Sequence, residues 1–154
     1  MIRAVRSLVG ALVLLLICVG APANAQSTDS VAVRATMTGF LDALNALDVP
    51  RMSADFADDI TAFVPSAQVD RVEGKAAVTA IFRAFADRGK AAPKTASVAE
   101  DMRIEVSGSL AVVHFMVRDA APPRIRRRTF VLRKVGQRWL ISHFHASDLV
   151  PPVR

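Results

Sequence analysis

Two histidines stand two positions apart near the C-terminus, in the run Trp139-Leu140-Ile141-Ser142-His143-Phe144-His145-Ala146-Ser147. Strand side chains alternate between faces, so an extended reading puts Trp139, Ile141, His143, His145 and Ser147 on one side. An aromatic, an aliphatic, two imidazoles and a hydroxyl in one row suit the wall of a small pocket. Imidazole titrates near neutrality, so His143 or His145, with an aspartate such as Asp59, could abstract a proton next to a carbonyl. No spacing in the sequence proves that these groups meet. His114 adds a third imidazole, and three neutral imidazoles on neighbouring strands could converge on zinc. The carboxylate pair or glutamate base that metal hydrolases carry is not recognisably placed, so no metal is expected. The plainer reading of the histidines is hydrogen bonding within a semi-polar pocket or interface. Trp139 likewise suits a core plug as well as a ligand platform, and Asp55, Asp58 and Asp59 suit a solvated helix end.

These residues lie in a chain of 154 residues that opens with a basic start, Met1 to Arg6, followed by an apolar run from Leu8 to Ala21. Ala23-Asn24-Ala25 then gives the small-x-small pattern of signal peptidase sites. Residues 1–25 are therefore expected to be a signal peptide, residues 26–149 one domain, and residues 150–154 a flexible tail. Export to the periplasm or the medium follows, without stable membrane insertion after cleavage, because the apolar run is short for a span. Cys18 is the one cysteine and would leave with the signal, which excludes a disulfide framework and a thiolate nucleophile from the mature chain. The formal charge would fall from +6 to +4, with 18 Lys plus Arg against 14 Asp plus Glu.

The elements that must position the histidines change period halfway along. Thr28-Asp29-Ser30 offers capping side chains, and Val33, Met37, Phe40, Leu41, Leu44 and Leu47 then recur at helical spacing. Asp48-Val49-Pro50 closes this helix and opens a shorter one to about Ala57. A short strand is expected over Ile60–Val64, then a loop from Pro65 to Arg71. A third helix opens at Glu73-Gly74-Lys75, with Ala77, Val78, Ile81, Phe82 and Phe85 on its buried side. Alternation takes over in four strands at Val98–Val106, Leu110–Arg118, Arg126–Val135 and Arg138–Ser147. The expected class is α+β, with three N-terminal helices packed on one face of a curved, mainly antiparallel sheet.

This order, together with particular residues, resembles the nuclear-transport-factor-2-like superfamily and especially its SnoaL-like branch. The residues are Phe40-Leu41 and Leu44, Asp58-Asp59-Ile60, Glu73-Gly74 with Val78 and Phe82, and Gly108 with Ala111-Val112-Val113. Arg128-Thr129-Phe130-Val131 with Lys134 follows, and the pattern Trp139-x-Ile141-x-His143-x-His145-x-Ser147 closes the match over roughly Ser30 to Asp148. The resemblance implies a conical domain enclosing an apolar pocket and dimerising through its outer sheet face. Members include isomerases, cyclases and dehydratases, so fold does not settle function. Steroid-isomerase-like members use a tyrosine-centred oxyanion hole, and this chain has no tyrosine. Polyketide-cyclase-like members are similar to an acid–base scheme that here would fall to His143, His145 and Asp59. Phe63, Phe82, Trp139, His143 and His145 are the expected ligand contacts.

The segment from Arg124 to Arg138 carries six arginines and Lys134 and no acid. Arg126 and Arg128 share a face with Phe130 and Lys134, while Arg127 and Arg133 lie on the other. Charge on both faces fits an edge or a rim, and the scarcity of clustered aromatics argues against nucleic acid. Three readings follow. The first is an exported module holding a small, mostly apolar molecule without a cofactor. The second is a cofactor-independent isomerase or lyase using a His/Asp pair. The third is a homodimeric association domain without a ligand.

Overall fold

Helix α1 (Ala23–Ala46) supplies Val33, Met37, Phe40 and Ala43 to the core, a spacing of three and four that keeps them on one stripe. The computed structural model describes residues 23–65, 70–90, 96–120 and 123–149. The expected tail, and all but the last three residues of the expected signal peptide, lie outside these residues. Because α1 begins at Ala23, Thr28-Asp29-Ser30 sit inside the helix and do not cap it. Asp29 instead reaches across the fold, accepting from Lys134 Nζ at 2.6 Å and from Trp139 Nε1 at 3.4 Å. The helix stops where Leu47 turns to a positive φ of 57°, with the Asp48 N–H returning to the Ala43 carbonyl at 2.9 Å.

Asp48 then caps α2 (Val49–Ser53), its carboxylate accepting from the Arg51 N–H at 3.1 Å, with Pro50 in the first turn. This helix is shorter than its sequence suggests. The chain is already extended at Phe56, where strand β1 (Phe56–Phe63) begins and buries Phe56 and Ala57. A two-residue strand, β2 (Val72–Glu73), pairs antiparallel with Thr61 and Ala62 at a place expected to be loop and helix start. Helix α3 (Lys75–Lys90) buries Val78, Phe82 and Ala86 at four-residue spacing; Ala77 is exposed, contrary to expectation.

The meander follows as β3 (Ala99–Ser107), β4 (Leu110–Ala120), β5 (Pro123–Val135) and β6 (Arg138–Leu149). Gly108 and Gly136 make the two tight turns, with φ of 58° and 61° that side-chain-bearing residues adopt only under strain. The sheet order is β2-β1-β6-β5-β4-β3, and β1 lies parallel to β6 while every other pair is antiparallel. The helices pack on one face of this curved sheet, which is the α+β cone expected from the sequence. The arginine-rich β5 is an interior strand, not an edge, since β4 and β6 flank it along most of its length.

One irregularity in β6 decides what its side chains do. Leu132 pairs with Ile141 but Val131 pairs with His143, so Ser142 is an extra residue in the ladder. Its hydroxyl donates to the Val131 carbonyl at 3.1 Å. Before this bulge the buried residues are Trp139 and Ile141; after it they are Phe144 and Ala146. The expectation of one continuous face from Trp139 to Ser147 is therefore overturned. A one-residue insertion moves every later side chain to the opposite side.

Candidate functional site

Helices and concave sheet enclose a cavity of about 250 Å³. Phe40, Leu41 and Leu44 of α1 form one wall, and Ile81, Phe82 and Phe85 of α3 form the next. The sheet contributes Phe115, Val117, Phe130, Phe144 and Ala146. At the deep end the rings interlock, with centroids 5.4 Å apart for Phe40 and Phe130, 5.0 Å for Phe130 and Phe144, and 5.7 Å for Phe82 and Phe144. Such contacts add to the burial of area and make the floor rigid.

Polarity rises in steps along β5 and β6. Phe130 faces Phe144, the next inward rung pairs Arg128 with Ala146, and the next pairs Arg126 with Asp148. Arg88, from the last turn of α3, and Ser97 complete this polar end. Ser97 is held by Asn45 in two hydrogen bonds, its N–H donating to Asn45 Oδ1 at 2.7 Å and its carbonyl accepting from Asn45 Nδ2 at 3.2 Å. Arg128 Nη1 donates to the carbonyls of Arg127 at 2.8 Å and Ser147 at 3.4 Å. The cavity is thus apolar at its base and guanidinium-lined at its rim.

Of the residues singled out from sequence, Phe82 lines this cavity. His143, His145 and Phe63 come together on the opposite, convex face of the sheet. Phe63 on β1 stands 5.3 Å from the His143 ring and 6.1 Å from the His145 ring, both edge-on. His143 Nδ1 and Thr61 Oγ1 share a hydrogen bond of 2.8 Å. Burial, and then the neighbouring His145, push His143 below the ordinary histidine range. Trp139 is 2% exposed and belongs to the core beneath α1, with Lys134 Nζ 5.9 Å from its ring centre. Asp59 is engaged by Arg133, whose Nη1 lies 2.8 Å from Oδ2 while Nη2 bonds the other oxygen. That bond holds the Asp59 carboxyl below its usual range. Of the residues expected to form a His/Asp pair, Asp59 bonds Arg133 and His143 bonds Thr61. His114 and His145 are cross-strand partners of Thr129 on its two sides, so two strand spacings separate them. Among the described residues no group of three or more His, Cys, Asp or Glu is placed to hold a metal.

Reading from sequence missed Phe144, Ala146 and Asp148, which take the inward places assigned to His143, His145 and Ser147. A signal was present. Large or apolar residues occupy odd positions at Trp139 and Ile141 and even positions at Phe144 and Ala146, and a strand with one buried face can make that switch only through a bulge.

Residues 33–152 match the family model described as a SnoaL-like domain. No curated protein matches the chain. Among solved structures it is similar to a nuclear-transport-factor-2-like protein of unknown function from Pseudomonas putida. That match has 24% identity and a TM-score of 0.73, over 82% of this chain and 90% of that one. A candidate dehydratase of the same superfamily from Streptomyces avermitilis matches with 16% identity and a TM-score of 0.69, over 82% and 99% of the two chains. A candidate ketosteroid isomerase from Parabacteroides distasonis matches with 18% identity and a TM-score of 0.62, over 77% and 86%. Likeness at this level of identity speaks for a common fold.

Proposed function

The chain belongs to the SnoaL-like domain family, and on that premise we propose that its cone is a binding pocket for a small, mostly apolar molecule. One observation carries this reading: a phenylalanine-floored cavity whose charged lining residues, among the described residues, stand at one end. Preformed concave sites with apolar walls and a few orienting polar groups are the usual form of small-molecule sites. Acid–base catalysis has less to support it. The charged groups lining the cavity, among the described residues, are Arg88, Arg126, Arg128 and Asp148. Arginine does not give up its proton in proteins, and Asp148, the one carboxylate there that could act as a base, has no histidine among the described lining residues to partner it. His143 and His145, which could move a proton near neutrality, stand across the sheet.

Native mass spectrometry of the protein purified from its own host tests the reading. A retained small molecule, released on denaturation, is the expected result. An empty protein that also fails to take up a neutral eight-carbon amide would overturn it.

Two further features belong with this proposal. Export is supported by the basic and apolar start of the chain, and cleavage after Ala25 would spare Val33, Met37, Phe40 and Ala43, the core residues of α1. Homodimerisation through the convex face is supported by Leu110, Val112 and Val135, which are 53%, 37% and 51% exposed there.

A further inference from the structure

We propose that His143 and His145 form a two-imidazole site for a divalent transition metal, copper(II) foremost, on the convex face of the sheet. The proposal does not depend on what the cone holds. Both residues follow the Ser142 bulge and pair with Val131 and Thr129 of β5, so their rings stand on one side of β6. Alternate residues of a strand lie about 6.5 Å apart along the chain. From such a base two imidazoles can each bring a nitrogen to about 2 Å from a shared ion.

The surroundings favour that convergence. Phe63 stands edge-on to both rings, 5.3 Å from His143 and 6.1 Å from His145, so one phenyl borders the pair. Thr61 Oγ1 lies 2.8 Å from His143 Nδ1. When Nδ1 carries the proton and donates to that hydroxyl, Nε2 presents its lone pair, the usual arrangement of a metal-bound imidazole held by an outer partner. The cross-strand neighbours of the pair, Thr61, Phe63, Thr129 and Val131, are all uncharged, so none of them repels a cation. His145 is exposed and His143 half-buried, which leaves the ion an open approach and room for water. Structural zinc takes four protein ligands, and His114 is two strand spacings from His145, too far to serve. Copper(II) stands highest in affinity for nitrogen sites and accepts a tetragonal set of nitrogen and oxygen donors, here two imidazoles with water.

Calorimetric titration of the untagged protein with copper(II) at pH 7.5, joined to electron paramagnetic resonance of the complex, tests this. Binding of one ion per chain at a dissociation constant of micromolar order is expected, with two nitrogen ligands in the spectrum and weaker binding of zinc. His143→Gln and His145→Gln should each weaken binding about ten-fold or more, while His114→Gln leaves it unchanged. Thr61→Val should weaken it roughly ten-fold with the thermal midpoint kept, and Thr61→Ser should restore it. One ion per two chains also supports the pair as ligands, with a second copy's histidines in place of water. Undiminished binding in the His143→Gln/His145→Gln double variant overturns the proposal, as does copper that fails to bind. A spectrum with fewer than two nitrogen ligands overturns it too, and that measurement uses the unaltered protein, so it stands even if a variant does not fold.

Discussion

Ser142 and His143 show how one backbone position redirects side-chain chemistry. With Ser142 as the extra residue, His143 turns outward to Thr61 and Phe144 turns inward to Phe130. Imidazole at position 143 is partly withdrawn from water, which disfavours its charged form and lowers its proton affinity on folding. The unfolded chain, near the ordinary value of 6.5, then binds the proton more tightly than the folded one. Stability contributed here is complete above that pH and declines as pH falls below it. Thermal unfolding followed between pH 7.5 and 5 should show a falling midpoint, and His143→Gln should flatten the fall. An unchanged slope in the variant would assign the effect elsewhere. Asp29 and Asp59, both lowered chiefly by hydrogen bonds from Lys134 and Arg133, lose their contributions only below about pH 4, outside this window.

At the scale of elements, most of the architecture was legible because long periodic segments announce themselves. The stripe on α1, the Val78–Phe82 face of α3 and the hairpins at Gly108 and Gly136 all follow from spacing and turn chemistry. What escaped was short or irregular. Strand β2 has two residues, too few to show a period, and α2 passes into β1 after two turn residues. Strand β1 itself advances five positions, from Phe56 to Thr61, where β6 advances only from Ile141 to His143. Asp58 and Asp59 sit in that irregular stretch, which is why they read as a helix end. The cavity was legible in kind, as an apolar pocket under the helices, while its lining was inverted along β6. A regular element gives a direct test. Nothing lies within 4 Å of a Cβ built on Gly136, so Gly136→Ala changes backbone preference alone. Its φ of 61° predicts a loss of about 1–2 kcal/mol by urea denaturation with an unchanged m-value. No loss would mean that the turn relaxes to another type.

For the molecule as a whole, the two faces of the sheet divide the labour. The concave side is filled by helices and cavity, and the convex side presents apolar residues and the histidine pair to solvent. If two copies meet through that convex side, Val112→Glu places like charges at the contact and should convert dimer to monomer by light scattering, with the thermal transition retained. A monomer before substitution would remove the dimer from consideration.

The parallel contact between β1 and β6 also governs the order of assembly. Thr61 and His143 are 82 positions apart, and Asp29 bonds Trp139 across 110. Contacts of that reach close late and slow the search for the native state. A chain emerging from the ribosome therefore carries α1 and β1 with their apolar faces unsatisfied until β6, the last strand of the sheet to be made, slots between β1 and β5. The strand that carries the histidines is thus also the keystone of synthesis, and a product truncated before it would expose its phenylalanines to proteases and chaperones.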